Sequence, residues 1–228
     1  KIILQGGLDD MTTLFERQLE ELHVLLITMG GLCEKAISLS AKAVQEQGER
    51  EIIKEIFETD KEIDEREREI EAHCMRLLLH QHPVARDLRE VSAALKMISD
   101  MERIGDQASD IAEIIISEKK SEGAEIPKIG KMSEAVAKMV RDSVTAYVKK
   151  DLELSRSVME ADDAVDTLFD ENKRDLIDFI AQNKGDAGRE IIDLIMVAKY
   201  LERIGDHATN IAEWVEFSIT GIHKESKV

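Results

Sequence analysis

The sequence predicts an all-α protein, two tandem three-helix bundles that form an internal repeat in an elongated chain. Three observations lead there. Charged residues make up 35% of the 228, aromatics only 4%, and there are just two prolines. That composition, rich in Ala, Leu, Ile, Glu and Lys, belongs to long helices rather than sheets. The second observation is a duplication. ERIGDQASDIAE, from Glu102 to Glu113, returns 100 residues later as ERIGDHATNIAE, from Glu202 to Glu213, with nine of twelve positions identical. The third is apolar periodicity near 3.6 residues over six segments, each bounded by glycine, proline or polar breakers.

The first helix is expected from Thr12 to Gln47, where Gly48 breaks it. The second runs from Arg50 to His80 and ends before Pro83. The third runs from Asp87 to Ile116. SEKKSEGAEIPKIG, from Ser117 to Gly130, is polar and carries the other proline, so it reads as a connection between halves. A fourth helix covers Met132 to Lys149 and a fifth Leu152 to Asn183. After NKGDAG the sixth runs from Arg189 to Thr220. The repeat reaches into the second and fifth helices, where ETDKEIDE (Glu58 to Glu65) matches EADDAVDT (Glu160 to Thr167) at an offset of 102. The domain reading is therefore a first bundle over 1–118, a linker over 119–130, a second bundle over 131–220 and a polar tail over 221–228. A bundle of about 100 residues is large enough to bury a core of its own.

A formal net charge of −17 argues against nucleic acid as a partner, and the basic run noted, Lys119-Lys120, is only two residues long. Cys33 and Cys74 make neither a disulfide framework nor a thiolate metal site; both fall in helical stripes and read as core thiols of a cytoplasmic protein. The apolar run from Val24 to Cys33 is too short to span a bilayer, and nothing at the start reads as a signal peptide. Neither a phosphate-binding glycine loop nor a nucleophile–base pair is evident. His80 and His82 flank a helix end, His207 lies beside Asp206, and Trp214 falls off the core arc as a candidate contact residue.

A helical wheel at about 100° per residue gathers Met97, Met101, Ile104, Ala108, Ile111 and Ile115 into one arc. Glu102, Asp106 and Glu113 lie opposite, with Asp110 at the edge. The sixth helix repeats the core arc with Val197, Leu201, Ile204, Ala208, Ile211 and Val215, and the acidic one with Glu202, Asp206 and Glu213. The second helix pairs Asp60 with Asp64 beside Ile52, Ile63, Ile70 and Leu77. The fifth pairs Asp162 with Asp166 beside Val158, Val165 and Phe169. Like charges at i, i+4 disfavour a helix by roughly 0.2–0.5 kcal/mol per pair. A hard cation reverses that sign, and carboxylates suit Mg²⁺, Mn²⁺, Ca²⁺ and oxidised iron. None of these repeated acids has a histidine at the Glu-x-x-His spacing of di-iron bundles, which favours a surface groove over a core site. An acidic face on one helix is ordinarily a solvated face, while its repetition in both halves favours metal. On the residues alone both readings stay open. Gly105 and Gly205, costly inside helices by roughly 1 kcal/mol each, point to the close approach of a neighbouring backbone.

QHPVARDLR (Gln81 to Arg89), followed by MERIGDQASDIAE and YLERIGDHATNIAEW, resembles the PhoU phosphate-signalling family from Leu14 to Gly221. The resemblance implies a non-enzymatic negative regulator of the phosphate-starvation response. It also implies an adaptor between the ATPase subunit of a phosphate ABC transporter and a sensor histidine kinase, touching the membrane only through them. A homo-oligomer, a dimer, is expected. The family's paired E(D)xxxD metal motifs fall on Asp60 and Asp64, Glu102 and Asp106, Asp162 and Asp166, and Glu202 and Asp206, with Asp110 assisting. Multinuclear sites are expected, iron first, with manganese, magnesium or zinc as the others. Asn210 in place of Asp110, and Tyr200 in place of Asp100, imply two unequal sites. The alternative is a hydrolase or oxidase that uses the same carboxylate-bound metals.

Overall fold

The computed structural model describes residues 3–46, 48–81, 85–117, 127–182 and 188–222. Its six helices are α1 (Ile3–Gln45), α2 (Arg50–Gln81), α3 (Arg86–Ser117), α4 (Pro127–Lys149), α5 (Leu152–Gln182) and α6 (Gly188–Thr220), with no strand among the described residues. At about 1.5 Å of rise per residue, the 32 residues of α2 make a rod roughly 48 Å long. The expected boundaries agree with these within a few residues except at two starts. α1 begins at Ile3 rather than Thr12, because extending a formed helix costs far less than starting one. α4 begins at Pro127. Proline is welcome in a first turn, where its missing N–H has no helical partner to lose. The final residues of the expected linker, 127–130, are thus helical. The readings of His82, of the loop after Asn183 and of the tail beyond Ile222 lie outside the described residues.

Helices α1 to α3 form one bundle and α4 to α6 the other, joined along their length. α3 packs on α6 and α1 on α4. Asp100 of α3 meets Asn210 of α6, and Arg89 meets Gly221, so those two helices run antiparallel. The result is a ring of four helices, α1–α3–α6–α4, with α2 and α5 laid against its two sides. The apolar arcs point into it: Met97, Met101, Ile104, Ala108 and Ile111 are fully buried, as are their counterparts Ile204, Ala208, Ile211 and Val215. Residues of both halves belong to one continuous core. At Gly30 a Cβ would lie 3.2 Å from Val144 Cγ2, which shows how closely α1 approaches α4. A half with a core of its own is therefore replaced by two halves that share one.

By length and composition α1 could cross a membrane, with a mean hydropathy of 1.4 in its most apolar window. Here its apolar stripe is used inside the protein, where Leu22, Leu26, Met29, Cys33 and Ile37 are fully buried. Cys33 and Cys74 are free thiols in the core, and burial pushes Cys74 up to about 12.

Candidate metal-binding grooves

Each acid pair stands where an outer helix meets an inner one. In the first half α2 lies against α3 so tightly at Gly105 that a Cβ there would come 2.7 Å from Asp60 Oδ1 and 3.1 Å from Ile63 Cδ1. In the second half the corresponding Cβ at Gly205 would lie 3.2 Å from Asp162 Oδ1 and 3.4 Å from Val165 Cγ1. The repeated glycines thus make room for a carboxylate rather than for a neighbouring backbone. Gly105→Ala is expected to lower stability by about 1–2 kcal/mol, overpacking outweighing the gain in helix propensity. Gly205→Ala, with wider clearance, should be close to neutral. Thermal melts of the two variants check this ordering.

Asp60 Oδ1 is buried without a hydrogen-bond partner. Burial raises the Asp60 pKa, and the charges of Asp64, Asp106 and Asp110 raise it further. The Ser109 hydroxyl opposes this, close enough to favour the anion although its own Oγ lacks a hydrogen bond of good geometry. Glu102 is likewise raised, by burial and then by Asp106, with Glu67 and Asp64 adding to it against Arg103. In the second half burial, Asp206, Asp166 and Glu202 push Asp162 up to about 6. Asp166 and Asp206 are raised too, first by burial and then by Glu202, with Lys199 opposing. These mutual shifts place each set of four carboxylates within electrostatic reach across the two helices of its groove.

As they stand, no three His, Cys, Asp or Glu side chains among the described residues are gathered closely enough to hold one ion. Cations of the chain itself occupy part of each groove. Arg103 Nη1 donates to Asp106 Oδ2 at 2.8 Å, and its Nε lies 3.5 Å from Glu102 Oε2. Lys199 pairs with Glu202. An incoming ion must displace these contacts and draw the carboxylates together. The orphaned Asp60 oxygen and the crowded anions fit such an ion; the donors are hard oxygens throughout.

Asp110 is turned partly away from its groove. The Tyr200 hydroxyl of α6 donates to it, and Arg203, 5.5 Å from the Tyr200 ring, adds positive charge nearby. The equivalent contact in the other half joins Asp100 Oδ1 to Asn210 Nδ2 at 3.0 Å and to His207 Nδ1 at 2.8 Å. The two departures from the repeat are therefore one exchange. An Asp at position 210 would face Asp100, and an Asp at position 200 would face Asp110, so the second half gives up both carboxylates and the α3–α6 contact stays free of like charges. His207 is held by Asp100 across the interface and stays near enough to Asp206 to act on its charge. Trp214 is half-buried, edge-on to Phe217 and beneath Lys96, so it serves the α3–α6 packing.

Glu67 belongs to the first groove and was missed in the sequence. It follows Asp64 by three residues, and Phe169 stands at the equivalent place, with Lys173 and Lys199 over its ring. The i+3 spacing from Asp64 was the available signal. A concavity of about 1040 Å³ between α1 and α4 lies away from all these acids. Its charges are largely satisfied, Arg141 by Glu34 and Lys35 by Glu55.

Fold and grooves define a class: a duplicated, all-helical protein with one acidic groove per half. The model of the PhoU domain matches twice, over residues 26–115 and 129–215. The chain belongs to the PhoU family. It is 37% identical over 213 residues to a phosphate-specific transport system accessory protein PhoU homolog of Clostridium acetobutylicum, covering 91% of this chain and 95% of that one. A protein of the same description from Zymomonas mobilis is 38% identical, over 91% of this chain and 87% of the other. The crystal structure of PhoU from Pseudomonas aeruginosa superposes with a TM-score of 0.81 at 32% identity, covering 91% of this chain and all of that one.

Proposed function

We propose that this protein regulates phosphate uptake as a non-enzymatic, metal-binding accessory protein. It links the ATPase subunit of a phosphate ABC transporter to a sensor histidine kinase and restrains the starvation response when phosphate is plentiful. It works in the cytoplasm as a homo-oligomer, a dimer, and meets the membrane through those partners. Each groove takes more than one oxygen-preferring cation, iron first, with manganese, magnesium or zinc as the others. The observation that carries the metal part is the pair of equivalent grooves, in which crowded carboxylates sit on a glycine and one buried oxygen lacks a partner. The phosphate part rests on the relatives, whose names describe accessory proteins of phosphate transport.

The test is co-purification from membranes containing each partner, before and after chelation, alongside a phosphoester assay with Mn²⁺ or iron. Retention on both partners at moderate salt, weakened by the chelator, with no turnover, is the expected result. Loss of both partners, or sustained phosphoester hydrolysis, would overturn the adaptor reading.

A further inference from the structure

A buried charged cluster closes one end of the four-helix ring, far from the acidic grooves. Glu90, near the start of α3, has a side chain only 4% exposed. Its two oxygens are shared between the halves. His23 Nε2 of α1 lies 3.1 Å from Oε1, and Lys150 Nζ, just past α4, lies 2.8 Å from Oε2. Tyr147 of α4 donates its hydroxyl to the Glu90 carbonyl at 2.8 Å and stands edge-on to the His23 ring. Burial alone would raise the Glu90 pKa, yet hydrogen bonds from His23 and Lys150 outweigh it and leave it lowered.

Lys150 itself is in an unfavourable backbone state. Its φ is +55°, in the left-handed region that glycine enters freely and lysine rarely does. The turn is a Schellman arrangement, with Lys150 N–H donating to Tyr147 O and Asp151 N–H to Ala146 O. At offset 102 the first half has Gly48, also left-handed at φ +73°. The second half thus puts a strained lysine where the first puts glycine, and its pair with Glu90 compensates for that strain.

We propose that Lys150 is a latch between the halves: its ion pair with Glu90 holds the α4–α5 turn in a strained conformation and pins the start of α5, at Leu152, to the first bundle. Removing the pair but keeping the strain is the worst case, and removing both is intermediate. The stability order should therefore be wild type, then Lys150→Gly, then Lys150→Met. In a Glu90→Gln background, where only strain is left, Lys150→Gly should instead raise the melting temperature. Shifts of about 2–6 °C are expected for a chain of this size. Thermal melts of the full chain read all four comparisons. A Lys150→Gly variant as stable as wild type or more so, a Lys150→Met variant no less stable than Lys150→Gly, or the same loss from Lys150→Gly in both backgrounds would overturn the latch. Should Glu90→Gln fail to fold, the ranking of the two Lys150 variants decides alone.

Discussion

Asp162→Asn should stabilise the metal-free protein at neutral pH and at the same time strip its second groove of metal. Burial and four neighbouring carboxylates push Asp162 up to about 6, against an ordinary value of 3.8. A carboxyl whose pKa is raised by folding favours the folded state fully below its unfolded value and loses that contribution as pH climbs through its folded value. The difference between Asp162→Asn and wild type should accordingly be near zero at pH 4 and grow through pH 6 to a plateau above it. Glu90, whose pKa is lowered, acts below this window. Solvent reaches half-buried Asp162, so a gap of only a few degrees is expected. Added metal should reverse the sign, because wild type gains a bound ion and the variant does not. Melting curves between pH 4 and 7.5, with and without metal, read both halves of this claim. A gap that is constant across the range would remove the repulsion on which it rests.

Ile104→Ala should produce the largest loss of stability. Ile104 is fully buried in the ring of four helices. Truncating such a residue costs about 2–5 kcal/mol through lost transfer energy and the cavity left behind. For a chain of this size the melting temperature should fall on the order of 10 °C. The shape of the transition is equally informative. Because the core runs through both halves, the variant should still melt in one step, with the second half destabilised along with the first. Calorimetry resolving two transitions, only the lower one shifted, would mean that the bundles stand independently.

Much of the fold was legible because helices write their faces into the sequence. The arcs through Ile104 and Ile204 are buried, apart from half-buried Ile115, and the acids opposite them face α2 and α5. What could not be read was how the bundles meet. The first and fourth helices share too little sequence to reveal their pairing, and nothing local marks Gly30 as the point where α1 touches α4. The Asp100 and Asp110 departures looked like independent changes at a metal site. Only the antiparallel α3–α6 contact shows them to be partners across an interface. Gly105 and Gly205 signalled a close approach, but not that a carboxylate makes it. Likewise Lys150 is an ordinary surface residue in the sequence, since neither its backbone angle nor the distant Glu90 is visible there.

The central claim is that each groove holds its own metal through carboxylates of both its helices. The direct measurement is elemental analysis of wild type, Asp106→Ala and Asp206→Ala after identical loading and desalting. Asp106 is tied to Arg103 and Asp206 crowds Asp162, so each substitution touches one groove alone. Each variant should retain about half of the wild-type metal, and combining the two should leave almost none. Equal metal content in all of them would show that these carboxylates are no more than a solvated face.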